Sequence, residues 1–581
     1  MPGIAAIACF ADLVVTGGRI YTMDAERPVI EALAVRKGVI IAAGSNADVA
    51  ECGTTRTRRV DLHGDVVFPG FIDAHTHPAL SGTELETVDL TEATTIDELV
   101  ASTTEWAAAH PRAKWVQGGG WDQSIFEGMN PRAILDVAIP DRPVYLGSAD
   151  AHSAWVNTRA LTMAGLLTPG GPDPDGGRIE RDADGAPTGV LRETASDAVG
   201  ELIPNYTRGM IDAGTASALA MVRQFGITTF VDADAPNWAL AAYRRFDNRR
   251  KLTARVYAAM GVDPVGGIEQ IDGIARARRK YRTPHVQVHA AKFFLDGVIE
   301  SETALMLAPY TSGRNGPEQF SSEQLDELFE AADEAGLQLH AHALGDGAVR
   351  QFLDGVQRLA AHHPERTRRP LAAHIEVIDP ADVPRFATLG VVANFQPLWA
   401  YPDPYITKLT TPAIGAARSE WLYPIGAVVS TGGRIAAGSD WSVSSMNPWE
   451  AMEVAVTRRD PADTRIADTR IADAPTENAG GAGADVPTGA GPLAAVPPQN
   501  GTLGGALSPQ HAVSLQTILA AYTTGGAYAI GEDERLGALT VGRLADFIVV
   551  NTDPFAIAPD ELSEVEVLST WLAGERVYAR Q

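Results

Sequence analysis

No apolar run in this 581-residue chain is long enough to span a bilayer and its mean hydropathy is near zero, which sets a helical membrane span aside. Cationic side chains are scarce: 47 Lys and Arg stand against 73 Asp and Glu, a formal charge of −26. Without a concentrated basic stripe, that balance removes the electrostatic basis for gripping a phosphate backbone, so nucleic acid is not an expected partner. Cysteine is nearly absent. Cys9 and Cys52 could close one bridge, but in a chain of this size two buried thiols are the expectation, and neither sits at a metal-ligand spacing. The opening residues, Met-Pro-Gly-Ile-Ala-Ala-Ile-Ala-Cys-Phe-Ala-Asp, lack the basic n-region of a signal peptide, so a cytoplasmic location is expected.

The length exceeds what one hydrophobic core usually serves, so two or more structural units are expected. Residues 12–44 alternate apolar and polar in short bursts punctuated by glycine, the grammar of hairpin strands. The same grammar returns in 536–550 and 565–578. Both ends are therefore expected to form one small β-sandwich, residues 1–67 and 536–581, around a central domain, 68–535. Within that central part, short apolar strands alternate with helical stretches, as in Gly226–Asp232 and Leu337–His342, the latter after a helical Ser322–Ala335. That alternation predicts an α/β fold built as a (β/α)8 TIM-like barrel. Residues 79–200 are too long for one βα-loop and read as a large insertion after the first barrel strand, covering the barrel mouth. Residues 460–509 combine a short Ala-Asp-Thr-Arg-Ile repeat with Gly, Ala and Pro, and read as a low-complexity surface loop, the alternative being an ordered loop wrapping a partner subunit.

The run Phe68-Pro-Gly-Phe-Ile-Asp-Ala-His-Thr-His-Pro78 ends a strand in two histidines. Positions i and i+2 of a strand share a face, so His75 and His77 can reach one ion from the strand's C-terminal end, where barrel enzymes keep their active sites. Alone, the pair fits two hydrogen-bonded core histidines as well. Further ligand types stand at the ends of later predicted strands, in the order Lys292, His342, His374 and Asp440. His340 lies two before His342 on the same strand face, so either could reach the ion.

With that order in place, the chain resembles the amidohydrolase superfamily, and within it amidohydrolase family 3, which includes N-substituted formamide deformylases. The resemblance runs through Gly119-Gly-Trp-Asp-Gln123, Asp150-Ala-His-Ser-Ala-Trp-Val-Asn157, Pro187-Thr-Gly-Val-Leu-Arg-Glu193, Lys292-Phe-Phe-Leu-Asp-Gly-Val-Ile-Glu300, His342-Ala-Leu-Gly-Asp346, Gly438-Ser-Asp-Trp441 and Leu539–Asp546. It implies His75 and His77 as ligands of a more buried Zn2+ or similar divalent ion, His342 and His374 as ligands of a more exposed one, and Asp440 as both ligand and catalytic acid/base. Lys292 would bridge two ions. An ammonium has no lone pair to give, so the bridge requires carboxylation of Lys292 to a carbamate; otherwise Lys292 orients substrate or pairs with Asp296. The strand carrying His374 reads Ala-Ala-His-Ile-Glu, without the acidic neighbour the family pattern places before the histidine.

Metal ions of this kind lower the pKa of a bound water from ~16 towards ~7 and polarise a carbonyl. Asp440 would then take the proton and return it to the departing nitrogen; its competing reading is a helix N-cap in Ser-Asp-Trp-Ser. Trp121, Asp122, Asp150, His152 and Asn157 either line the substrate pocket or knit the insertion onto the barrel, and Arg192 with Glu193 carries the same two readings as an ion pair. His63, His110, His285, His289, His362, His363 and His511 fit no ligand frame. The expected activity is hydrolysis of a non-peptide amide or formamide bond in a small molecule. The alternatives are a deaminase, a cyclic-amide hydrolase, or a non-catalytic regulatory descendant, which would have lost ligands that this chain keeps. Relatives commonly form dimers, so the resemblance also implies a homodimer.

Overall fold

The computed structural model describes residues 10–91, 93–126, 131–150, 152–461 and 505–581. Its centre is one sheet of eight parallel strands: β1 Phe71–Thr76, β2 Ile227–Asp232, β3 Arg255–Val262, β4 Val286–Phe294, β5 Gln338–Ala343, β6 Leu371–His374, β7 Val392–Phe395 and β8 Arg434–Ala437. They are hydrogen-bonded in chain order, and the sheet curls into a TIM-like barrel. Strands β1 and β2 are buried at every position, because the barrel interior covers one face and the outer helices the other. The helix Ser322–Glu334 begins on a capping box, with Ser321 and Gln324 satisfying each other's backbone N–H groups, close to the span its sequence predicts.

Beyond its last strand the barrel closes through its loops. The Asp440 N–H donates to the His75 carbonyl at 2.7 Å and the His77 N–H to the Trp441 carbonyl at 3.1 Å. Gly438 makes this approach possible, since a Cβ there would lie 2.6 Å from the His75 backbone nitrogen.

The chain ends supply two further sheets. Leu13–Thr16, Ala32–Arg36, Val39–Gly44 and Arg58–Asp61 form one; Arg19–Tyr21, Val29–Ile30, Val66–Pro69, Phe547–Val550, Val567–Leu572 and Glu575–Ala579 form the other. One apolar cluster draws Leu33 and Val35 from the first and Val67, Phe547 and Trp571 from the second. Val66–Pro69 pairs with Phe547–Val550, so the end sheet runs two residues past position 67. Cys52 is buried and disulfide-bonded, which corrects the free-thiol expectation for it; Cys9 lies outside the described residues.

Between β1 and β2 the chain builds a separate six-stranded mixed sheet, ordered Gly177–Arg181, Pro187–Glu193, Ser153–Val156, Val144–Ser148, Val116–Trp121 and Val88–Asp89. It has apolar clusters of its own, one around Trp121, Phe126 and Trp155. Of the low-complexity loop expected at 460–509, residues 462–504 lie outside the described residues. Among the described residues no helix is long and apolar enough to cross a membrane.

Candidate metal and active centre

The strand ends bring together most of the residue types read from the sequence. On β1, His75 is buried and His77 keeps a fifth of its side chain exposed, at the joint where Pro78 turns the strand into the helix Pro78–Glu84. Past β8, Asp440 takes a positive φ of 52°, and at the end of β6 His374 and Ile375 take 77° and 49°. Such backbone is sparsely populated for side-chain-bearing residues, and here it turns the ligand-type groups inward from the strand ends.

Asp440 Oδ1 lies 3.1 Å from His77 Nε2 and 3.6 Å from His75 Nε2. These three residues form a group whose ligand atoms all lie within 4.8 Å of one another. Buried Asp440 Oδ1 has no hydrogen bond of acceptable geometry despite those contacts, and neither has His374 Nε2. Ligands at 2.0–2.1 Å around a tetrahedral ion stand roughly 3.3 Å apart, so the spacing and the N/O donor set fit a divalent ion such as zinc. His374 offers its free Nε2 beside this group, its ring 4.7 Å from that of His75 and 4.6 Å from that of His342.

Three of the ligand-type rings, those of His75, His342 and His374, are oriented from behind, as metal-ligating histidines generally are. His374 Nδ1 meets Gln396 Oε1 at 2.8 Å, and Trp399 stacks on the same ring at 3°. His342 Nδ1 meets Asp296 Oδ1 at 3.2 Å. His340 Nε2 lies 3.1 Å from His75 Nδ1, so His340 supports His75 from behind while His342 lies beside His374.

Asp73 has the same structural role: it accepts from the Ser439 N–H at 3.1 Å, the Ser439 hydroxyl at 2.6 Å and the His75 N–H at 3.2 Å. It ties the two strand ends that carry His75 and Asp440. The sequence reading missed it, although a carboxylate two residues before His75 on one strand face was a signal. For Gln396, past the end of β7, the sequence carried none.

Lys292 is buried with Nζ 3.3 Å from His75 Nε2 and 4.9 Å above the Phe294 ring. Its expected alternative partner, Asp296, is taken up by His342 and by the backbone N–H groups of Leu305, Leu344 and Gly345, so that pairing is corrected.

Burial sets the electrostatics. It holds His75, His340 and His342 well below the usual imidazole value, helped by the Lys292 charge and by neighbouring imidazoles, and brings His374 down to about 3 against the pull of Asp440. These rings are therefore neutral, the form that ligates. Burial also pushes Asp73 up to about 7 and Lys292 down to about 8. His152 behaves differently. Burial lowers it, but Glu193, Asp150 and Asp296 outweigh that and raise it to about 9.

The five insertion residues divide. Asn157 is buried; it accepts from the Val144 and Ala160 N–H groups and donates to the Ile139 and Arg142 carbonyls. Trp121 is buried and donates from Nε1 to the Leu146 carbonyl at 2.8 Å. Both knit the insertion together. Asp122 is buried at the end of the same strand. Asp150 accepts from Tyr405, a residue beyond β7, at 2.7 Å, and His152 stacks beside His342 with ring centroids 5.2 Å apart. The expected Arg192–Glu193 ion pair is not formed: Arg192 reaches Glu180 at 3.3 Å, and Glu193 binds His152 Nδ1 at 2.9 Å.

The model of the amidohydrolase family matches residues 58–578. YtcJ of Bacillus subtilis (strain 168), named as an amidohydrolase, is 28% identical over 575 residues, covering 97% of this chain and 99% of that protein. The N-substituted formamide deformylase of Arthrobacter pascens is 25% identical over 593 residues, covering 98% of each. In fold, the chain is similar to a metal-dependent hydrolase from Pyrococcus horikoshii OT3, with a TM-score of 0.69, 22% identity, and coverage of 94% of this chain and 99% of that one. The chain belongs to the amidohydrolase family and is a hydrolase.

Proposed function

We propose that the protein hydrolyses an amide or formamide bond of a small molecule at the centre built by His75, His77 and Asp440. The observation that carries this reading is the unpartnered, buried Asp440 Oδ1 facing two imidazole nitrogens at 3.1 and 3.6 Å. His75, His77 and Asp440 would hold a first divalent ion, and His342 and His374 would hold a second. When bound, such ions supply water of lowered pKa and an electrophile for the carbonyl.

Lys292, if carboxylated at Nζ, would offer a carbamate able to hold both ions. Among the described residues no carboxylate lies within ion-pair distance of Nζ, which leaves a buried charged ammonium poorly compensated. Asp440 receives the proton released as water adds to the carbonyl and returns it to the departing nitrogen, which leaves poorly as an anion. His340, Gln396 and Asp73 keep the working groups aligned. Of the insertion residues, His152 stacks beside His342 and Asp150 accepts from its N–H, while Trp121 and Asn157 hold the sheet that carries them. The reading also takes residues 1–67 and 536–581 as a β-sandwich, 68–535 as the barrel unit, and 79–200 as the insertion that shapes the pocket.

Metal analysis of zinc-grown protein, with turnover of a panel of N-substituted formamides and lactams by wild type and Asp440→Asn, tests this. At least one bound metal is expected per chain, with kcat falling by about 100-fold or more in Asp440→Asn. Sub-stoichiometric metal that His75→Ala leaves unchanged would overturn the metal centre. Turnover of lactams alone would transfer the reading to a cyclic-amide hydrolase.

A further inference from the structure

The strands that carry Lys292 and His374 run on into loops, and each loop brings a carboxyl group to the same place. Glu300 lies past β4 and Glu376 two residues after His374, with their carboxyl groups in hydrogen-bond contact. Glu376 is 2% exposed, and its Oε1 is buried without a hydrogen-bond partner. Glu300 accepts from the hydroxyl of the fully buried Thr410. Asp403 is the third member, near enough for its charge to act on both. Among the described residues no lysine or arginine forms an ion pair with any of the three.

Tyrosine rings wall this place. Tyr423, from the segment whose N–H donates to the Glu376 carbonyl at 2.8 Å, is buried beside both glutamates, and Tyr405 lies within the field of Glu300. Aromatic faces set among carboxylates are surroundings that favour an ammonium group. Glu300, Asp403 and Tyr405 each keep part of their surface, so they line a space rather than fill the packed core. That space is continuous with the metal centre. Tyr405 donates to Asp150 at 2.7 Å, Asp150 accepts from the His152 N–H at 3.1 Å, and the His152 ring stands 5.2 Å from that of His342.

Buried carboxylates without a cation are costly, and a proton shared by Glu300 and Glu376 offsets one charge while leaving the other and that of Asp403. A second metal-type site does not account for them. Among the described residues, His75, His77 and Asp440 are the group whose ligand atoms all lie within 4.8 Å of one another, so these three carboxyls are spread too widely for one small ion. Their spread suits a larger organic cation with several N–H donors.

We propose that Glu300, Glu376 and Asp403, with the rings of Tyr405 and Tyr423, form a subsite for a primary ammonium group of the substrate, which makes the substrate an amide or formamide with a cationic tail. This rests on the hydrolytic reading above and deepens it. The acyl carbon sits at the His75, His77 and Asp440 centre, and the tail runs past His342 and His374 to the loops after β4, β6 and β7.

The test uses the full-length, zinc-loaded protein and probes that differ only at the tail. Monoformylcadaverine carries an ammonium where N-hexylformamide has a methyl group. Wild type is expected to turn over the first with kcat/KM about 30-fold above the second, the gain from charge-assisted hydrogen bonds to buried carboxylates. In Glu300→Gln and Glu376→Gln that ratio is expected to fall by about tenfold, and a ratio is insensitive to partial loss of folded enzyme. Calorimetric titration with ε-aminocaprohydroxamate and the uncharged heptanohydroxamate needs no turnover, and the charged probe is expected to bind wild type about 30-fold more tightly. Equal or reversed preference between the formamides, a ratio that both variants leave unchanged, or equal hydroxamate binding would overturn the subsite. If the protein holds zinc yet hydrolyses no formamide or lactam, the hydrolytic reading fails, and the hydroxamate comparison alone then upholds or overturns the subsite.

Discussion

Asp73 shows how one residue away from the reacting atoms can govern them. Its carboxylate accepts two hydrogen bonds from Ser439 and one from the His75 N–H, so it aligns the strand end carrying His75 with the turn carrying Asp440. Asp73→Ala leaves those buried donors unmet and is expected to cost roughly 3 kcal/mol, read from equilibrium unfolding. Asp73→Asn keeps one acceptor oxygen and is expected to cost about 1 kcal/mol. Both should retain metal less tightly than wild type, measured by competition with a chelator. Wild-type-like stability in the alanine variant would mean that the barrel closes without this tie.

At the scale of elements, the insertion sheet depends on a single side chain at a crossing point. Asn157 caps the helix Thr158–Ala164 through the Ala160 N–H and at the same time bonds Val144, Ile139 and Arg142 on a neighbouring strand and its approach. An N-cap alone contributes about 1 kcal/mol, and the orphaned Val144 N–H adds roughly as much again. Asn157→Ala is therefore expected to lower stability by about 2 kcal/mol while leaving bound metal unchanged. A change under 0.5 kcal/mol would show that these bonds are replaced by water. Much of this scale was legible beforehand: the helix at Ser322 announces itself by its capping box, and β1 and β2 by short stretches rich in apolar and β-branched residues. The partners of Asn157 were not legible, because Ile139 and Arg142 reach it only once two strands have paired.

For the whole molecule, two features can be measured. The excursion after residue 461 leaves and returns between fixed points. Leu507 N–H donates to the Arg458 carbonyl at 2.8 Å, and the fully buried Arg458 guanidinium donates to the carbonyls of Leu507, Tyr423 and Leu422. With those ends already held together, replacing residues 462–504 by a short Gly/Ser linker is expected to leave Tm within about 3 °C, since loop length changes closure entropy only slowly. A large drop would show that the fold needs the removed segment.

The second feature is acid stability. Burial raises the Asp333 carboxyl, but hydrogen bonds from Arg368 at 2.6 and 2.7 Å and from Arg366 at 2.5 Å outweigh it and hold the group below its ordinary value. A depressed folded pKa means the stabilisation is fully present above the unfolded value of about 3.9 and is lost as pH falls through the lower folded value. Asp333→Asn is thus expected to be less stable than wild type at neutral pH, with the gap narrowing below about pH 4. A gap independent of pH would assign the effect to packing.

The chain's own letters determined the barrel and its chemistry. Apolar strands alternating with amphipathic helices leave few ways to bury both faces of a parallel sheet, and the ligand types His75, His77, Lys292, His342, His374 and Asp440 stand at strand ends where such barrels gather side chains. Tertiary structure alone decided which atoms meet. Asp296 faces His342 rather than Lys292, Glu193 turns to His152 rather than to its neighbour Arg192, and Trp121 and Asn157 are spent inside the insertion. These pairings join residues tens to hundreds of positions apart, so they follow from strand register and from how the insertion docks, which no local pattern encodes.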